Sequence, residues 1–159
     1  MAFIKIFRFK INPPPLICRL IVNKDQKKIV SAMKYFNRII FYKINGDFLK
    51  SVSIGENNLP LINDNNVSVT SESYLYCFDL YGTRDFVYAL WGGQKYKDYE
   101  LNTVTDSFVV VFNWEGDFIK TYKISRSNLI GVSPDNKFLF ASKISADGTT
   151  EIVSYELDN

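Results

Sequence analysis

A strand–turn–strand segment that recurs along the chain constrains this sequence more than any other feature. Phe3-Ile-Lys-Ile-Phe, Phe48-Leu-Lys-Ser-Val and Phe118-Ile-Lys-Thr-Tyr line up, and Gly46-Asp47 and Gly116-Asp117 precede the second and third. Upstream of those turns, Ile40, Tyr42 and Ile44 correspond to Val110, Phe112 and Trp114, and again to Val153, Tyr155 and Leu157. Apolar residues at alternate positions put one side of each strand on a core. The Asn45-Gly46 and Glu115-Gly116 steps supply the positive φ that a tight hairpin requires. A further strand recurs as Ile29-Val-Ser-Ala32, Phe86-Val-Tyr-Ala89 and Phe138-Leu-Phe-Ala141. Its alanines, placed beside Ile40, Val110 and Val153, suggest buried sites where neighbouring sheets approach closely.

Short apolar runs, Cys18 to Val22, Tyr74 to Tyr81 and Asn128 to Val132, precede these strands. Each unit thus reads as four short strands joined by hairpins. The pattern predicts an all-β fold, specifically a partial β-propeller of about three four-stranded antiparallel blades. Within one domain spanning 1–159, the expected parts are an outer strand at 3–11, blades at 16–54 and 66–124, and a blade at 127–159 lacking its outer strand. Phe3 and Phe48 are 45 positions apart, one blade length, whereas Phe48 and Phe118 are 70 apart. The middle unit therefore carries extra loop, in Gly55 to Glu72 and in Gly92 to Thr105. Helix is expected only as a turn or two within Lys95 to Leu101. Starting with an outer strand and ending with a third strand is how a propeller closes its ring. Three blades fall short of the roughly four that a ring needs, so a homodimer completing a six-bladed ring is one expected partner arrangement.

Composition narrows the chemistry. The chain has 159 residues, 47% hydrophobic and 23% charged, and its 13 Phe and 10 Tyr favour strands. A net charge of +2 is too small to mark a phosphate-binding surface, and no nucleic-acid partner is expected. Histidine is absent, which removes imidazole bases and His-ligated metals. No apolar run reaches the roughly 18 residues of a membrane span. The N-terminal Met1 to Lys10 stretch intersperses charges with apolar residues, without the unbroken apolar region of a signal peptide, so the product is expected to stay where it is made.

On these motifs the chain resembles the TolB-like six-bladed propeller family common in Bacteroidetes. The resemblance rests on Tyr42 to Lys50 and Phe112 to Lys120, on Val132-Ser-Pro-Asp-Asn-Lys-Phe-Leu-Phe140, and on Phe86-Val-Tyr-Ala-Leu90. It implies a propeller fold corresponding to a C-terminal half. Family members usually carry six blades, and many have no assigned activity.

The most distinctive surface candidate is the segment Trp91-Gly-Gly-Gln-Lys-Tyr-Lys-Asp-Tyr-Glu100, read as an inter-strand loop. Its two glycines would let backbone approach a ligand, while Trp91, Lys95, Tyr96 and Tyr99 offer stacking faces and polar tips. The alternative, aromatics covering a blade edge, is favoured because a fold alone says little about function. Asp79 interrupts an apolar inner strand and would face a central channel, either as a binding residue or merely beside solvent. Asp25 and Asp135 sit in matching turns, where Asp caps local backbone. The Ile62 to Asn66 loop has one carboxylate and no bidentate Glu, so no metal site is expected. Trp114 belongs to the core. Without His or a Gly-x-Ser-x-Gly elbow, no catalytic residue is assigned and no cofactor is expected.

These features point to a non-catalytic binding or scaffold module presenting loops to a protein or saccharide. The alternatives are a truncated fragment of a six-bladed propeller without independent activity, and a metal-dependent propeller hydrolase of the lactonase kind. Cys18 and Cys77 form no C-x-x-C pair and read as two small hydrophobes. Under denaturing, non-reducing conditions both should react with a thiol reagent. A quantitative intramolecular bridge would contradict this and indicate an oxidising compartment.

Overall fold

Strand-forming alternation is translated into three antiparallel sheets. The computed structural model describes residues 18–59, 69–101, 103–144 and 149–158. Sheet 1 holds β1 (Cys18–Asn23), β2 (Lys28–Met33), β3 (Ile39–Lys43) and β4 (Phe48–Val52) in that order. Sheet 2 holds β5 (Tyr74–Gly82), β6 (Phe86–Lys95), β7 (Asp106–Asn113) and β8 (Phe118–Ser125), with the five-residue helix α1 (Tyr96–Glu100) between β6 and β7. Sheet 3 holds β9 (Ile130–Val132), β10 (Phe138–Ile144) and β11 (Thr150–Glu156). The helix falls within the one segment, Lys95 to Leu101, where a turn was expected. The expected outer strand at 3–11 and the Ile62 to Asn66 loop lie outside the described residues.

Both hairpins with a Gly-Asp step form as the sequence implies. Gly46 and Gly116 have φ of 91° and 82°, values that a side chain would strain. The N–H groups of Gly46 and Gly116 donate back to the carbonyls of Lys43 and Asn113. Asn45 and Asn113 each accept from the backbone N–H of the following aspartate, Asp47 or Asp117.

The sheets stack in chain order. Their first strands lie side by side, β1 next to β5 and β5 next to β9. Val30, Ala32, Ile39 and Phe41 of sheet 1 join Val87, Ala89, Val110, Phe112 and Trp114 of sheet 2 in one buried cluster. The intervening residues of the same sheet 2 strands, Tyr88, Leu90, Val109 and Val111, join Leu139, Ala141 and Leu157 of sheet 3 in another. Sheet 2 is therefore covered on both faces, which explains why β7 reads as the unbroken run Val109 to Phe112.

One expected register needs correction. Val110 pairs with Ala89 and Val153 with Ala141, but Ala32 pairs with Ile39, while Ile40 faces Ser31. Ala32 is buried like Ala89 and Ala141, yet it points forward into sheet 2, whereas Ala89 points back toward sheet 1 and Ala141 toward sheet 2. The structural counterpart of Ala89 and Ala141 is Ser31. A one-residue slip exchanges the faces of a strand, and two adjacent small residues, Ser31 and Ala32, fit the motif equally well in either register.

Ala89 is fully buried between sheets 1 and 2. Ala89→Leu should lower stability by about 1–3 kcal/mol through overpacking. An unchanged midpoint in denaturant unfolding would show that this interface has room for three more carbons.

Candidate functional site

The segment expected to be a loop from Trp91 to Glu100 is instead the end of β6 followed by α1. Trp91 is 4% exposed and packs in the core against Tyr76, with ring centroids 5.4 Å apart. It is not a surface residue. Gly92 does permit a close approach, but of the chain's own Phe78: a Cβ there would lie 2.2 Å from the ring. Across from Gly92 and Gly93 the ladder slips, so that Leu75 pairs with Gln94 and Cys77 with Trp91. Past this bulge β6 stays paired with β5 as far as Tyr74–Lys95, where α1 begins.

Lys95, Tyr96 and Tyr99 are brought to one end of sheet 2, and each has partners supplied from elsewhere in the chain. Lys95 and Lys97 both reach Glu72, at 2.9 and 2.6 Å. These bonds hold the Glu72 carboxyl below the usual carboxylate range and push the Lys95 ammonium pKa up. Tyr99 stacks on Phe78 at 5.2 Å, and the Arg126 guanidinium lies 4.4 Å over its ring. The Tyr99 hydroxyl donates to Asn128, and Arg126 donates to the Tyr99 carbonyl. Hydrogen bonding to Glu100 raises the Tyr96 phenol pKa, with lesser contributions from its carboxylate charge and from nearby Tyr35 and Tyr99. Tyr35, Tyr96 and Tyr99 are partly buried against the cluster between sheets 2 and 3. The result is a clamped platform with phenol edges and ammonium groups at its margin.

Sequence reasoning missed Glu72, Arg126, Asn128 and Tyr35. No local motif marks them; their roles come from contacts between residues 23 to 29 positions apart in the Lys95–Glu72, Arg126–Tyr99 and Tyr99–Asn128 pairs.

Asp79 stands apart from this platform. It accepts a hydrogen bond from the Ile130 N–H at 3.1 Å and lies 3.5 Å from the Arg19 guanidinium, with its side chain 14% exposed. Arg19 also donates to the Phe78 carbonyl. Asp79 on β5 thus joins β1 on one side to β9 on the other, a structural task that occupies both carboxylate oxygens. Beside it Cys77 is buried, and burial pushes its thiol pKa up, assisted by the Asp79 charge. The side chain of Cys18 lies outside the described residues.

A shallow cleft of about 400 Å³ lies at the opposite margin of sheets 1 and 2, lined by Asn23, Lys24, Asp25, Thr83 and Arg84 among others. Its inner polar groups satisfy one another: Asn23 donates to the Thr83 and Arg84 carbonyls, and Trp114 donates to Thr83. Among the described residues no group of three or more Cys, Asp or Glu is placed to hold a metal ion, and no helix is long and apolar enough to cross a membrane. No protein-family model matches the chain, and no curated protein matches it significantly.

Removing the Asp79 carboxylate tests its bridging role. Asp79→Ala should cost about 1–3 kcal/mol, because it leaves the Ile130 N–H without its acceptor. Amide exchange should quicken at Ile130 before it does in β7; equal protection in variant and wild type would show that the bridge is dispensable.

Proposed function

We propose that this chain is a non-catalytic binding or scaffold module, that its three sheets are blades of a TolB-like propeller, and that a protein or saccharide ligand is engaged at the β6–α1 platform. The observation that carries this reading is the clamping of α1. A five-residue helix has little stability of its own, yet the Tyr99 ring stacks on Phe78 and carries the Arg126 guanidinium over it, and Glu72 ties down both lysines. Rigid aromatic and cationic groups bind with little ordering cost, and tyrosine suits such surfaces by combining a flat apolar face with a hydroxyl. Side-by-side first strands and the sheet-on-sheet stacking support the blade reading.

A hydrolase of the lactonase kind would need several inward carboxylates around a central ion. Asp79, the inward acid that the sequence offers, is engaged by Arg19 and Ile130. A second reading, a truncated fragment of a six-bladed propeller without independent activity, is favoured by one observation: among the described residues sheets 1 and 3 each have apolar side chains exposed on the outer face, Leu20 and Phe48 on one and Phe140 and Ile152 on the other.

An oligosaccharide array and a peptide array, each probed with wild type and with Tyr96→Ala, provide the test. Binding by the wild type that falls at least about tenfold in the variant, a change of about 1.4 kcal/mol, is the expected result. Binding that is unaffected by the substitution would move the site elsewhere, and turnover of a lactone by the purified chain would overturn the non-catalytic assignment.

A further inference from the structure

The cations around the β6–α1 platform are matched unevenly with carboxylates. Glu72 takes Lys95 and Lys97, and Asp79 takes Arg19. Lys34, in the turn that follows β2, is met by no carboxylate among the described residues. Its ammonium lies 5.8 Å over the Tyr35 ring, and the charge that acts on it, the Arg19 guanidinium, has the same sign. Burial, assisted by Arg19, pulls the Lys34 pKa below its ordinary value.

Backbone bonds hold this cation in place. The Tyr76 N–H donates to the Lys34 carbonyl at 2.7 Å, and Arg19 donates to the Phe78 carbonyl at 3.2 Å. Tyr76 and Phe78 are two residues apart on β5, so the two basic residues are anchored within about 7 Å of each other along one strand. The far side of the turn is fixed by Asn37, which is fully buried, accepts from the Ile54 N–H and donates to the Ile54 and Glu56 carbonyls.

Tyr35 carries the surface across to α1. Although it follows a strand of sheet 1, it packs against the cluster between sheets 2 and 3, where Tyr96 and Tyr99 also pack. The Tyr35 and Tyr96 phenols lie near enough to influence each other's ionisation. Both rings are only partly buried. Fixed aromatic rings therefore stand beside an ammonium that has no counter-ion of its own.

These two features suit one chemical class. A pyranose ring offers an apolar face to a tyrosine ring and hydroxyls to the phenol oxygens. A carboxylate on that ring supplies the acceptor that Lys34 lacks, through a charge-assisted hydrogen bond. An acidic peptide would also meet the ammonium, but it must order a flexible chain, whereas a sugar ring arrives rigid and loses less on binding.

We propose that the platform recognises an acidic saccharide, with a uronate carboxylate at Lys34 and the sugar ring against Tyr35 and Tyr96. This rests on the reading of the platform as a binding site and adds the class and charge of its ligand.

The test compares oligomers of galacturonate, glucuronate and mannuronate with their methyl esters, which keep the rings and remove the charge. Titration calorimetry of the full chain should show at least one acid binding at least about tenfold more tightly than its ester, a difference of about 1.4 kcal/mol. Lys34→Met, which keeps the apolar stem, should weaken the acid and abolish its advantage over the ester, whereas Lys34→Arg should retain that advantage. Added salt should weaken the acid more than the ester. Tyr96→Ala reads the platform separately, and circular dichroism checks that each variant is folded. Tyr96-dependent binding of ester and acid alike, an acid preference that survives Lys34→Met, or Tyr96-dependent binding of acidic peptides in place of sugars would overturn the acidic-saccharide inference and leave the platform standing. Absence of any Tyr96-dependent binding would overturn both.

Discussion

Burial of sheet 2 on both faces is the interaction on which the rest of the structure depends. Along β6 and β7, successive residues point to opposite sides, and both sides are apolar: Val87, Ala89, Val110 and Phe112 toward sheet 1, Tyr88, Leu90, Val109 and Val111 toward sheet 3. Each fully buried Val, Leu or Phe side chain among these contributes about 1.5–3 kcal/mol relative to exposure. The ion pairs at the rim, such as Lys50 with Asp117, are between largely exposed groups and are weak by comparison. They help choose which edges meet. The stack itself is held by the two apolar layers, and the outer sheets are stable to the extent that sheet 2 covers them.

One carboxylate, that of Asp79, sits where the first strands of the three sheets come together. Asp79 is tolerable in β5 because Ile130 and Arg19 meet its oxygens from the two neighbouring sheets, so desolvation is offset by directed partners. Irregular pairing of β5 around Cys77 frees this stretch from strict alternation and lets Tyr76 join one core cluster and Phe78 the other. The same irregularity reaches Gly92 and Gly93 and sets the direction of α1. Core packing and the candidate binding platform are consequently linked through Phe78, which lies beneath Gly92 and stacks on Tyr99.

A repeat architecture also explains how a surface so apolar can belong to a well-built chain. Tyr42 and Phe48 make an edge-to-face pair on the outward side of sheet 1, at the places that Phe112 and Phe118 occupy in sheet 2. Residues retained in the register of an interface, rather than scattered, are the pattern expected of a face with a partner.

The sequence by itself determined the strand pattern, the two Gly-Asp hairpins and the grouping into three units, because period-two alternation and positive-φ turns are local properties of a few adjacent residues. It also confined any helix to Lys95 to Leu101, the stretch that holds α1. Tertiary structure alone decided three matters. It settled which of Ser31 and Ala32 looks backward, because a one-residue slip leaves composition unchanged while reversing every face. It placed Trp91 in the core and not on a loop, because the bulge that keeps β6 in the sheet depends on the pairing with β5. And it assigned the partners of Asp79, Lys95 and Tyr99, because Arg19, Ile130, Glu72, Arg126 and Asn128 come near only when separate strands and sheets are packed together. Local chemistry specifies elements; the contacts that give a side chain its task are made between residues far apart in the chain, where no motif can register them.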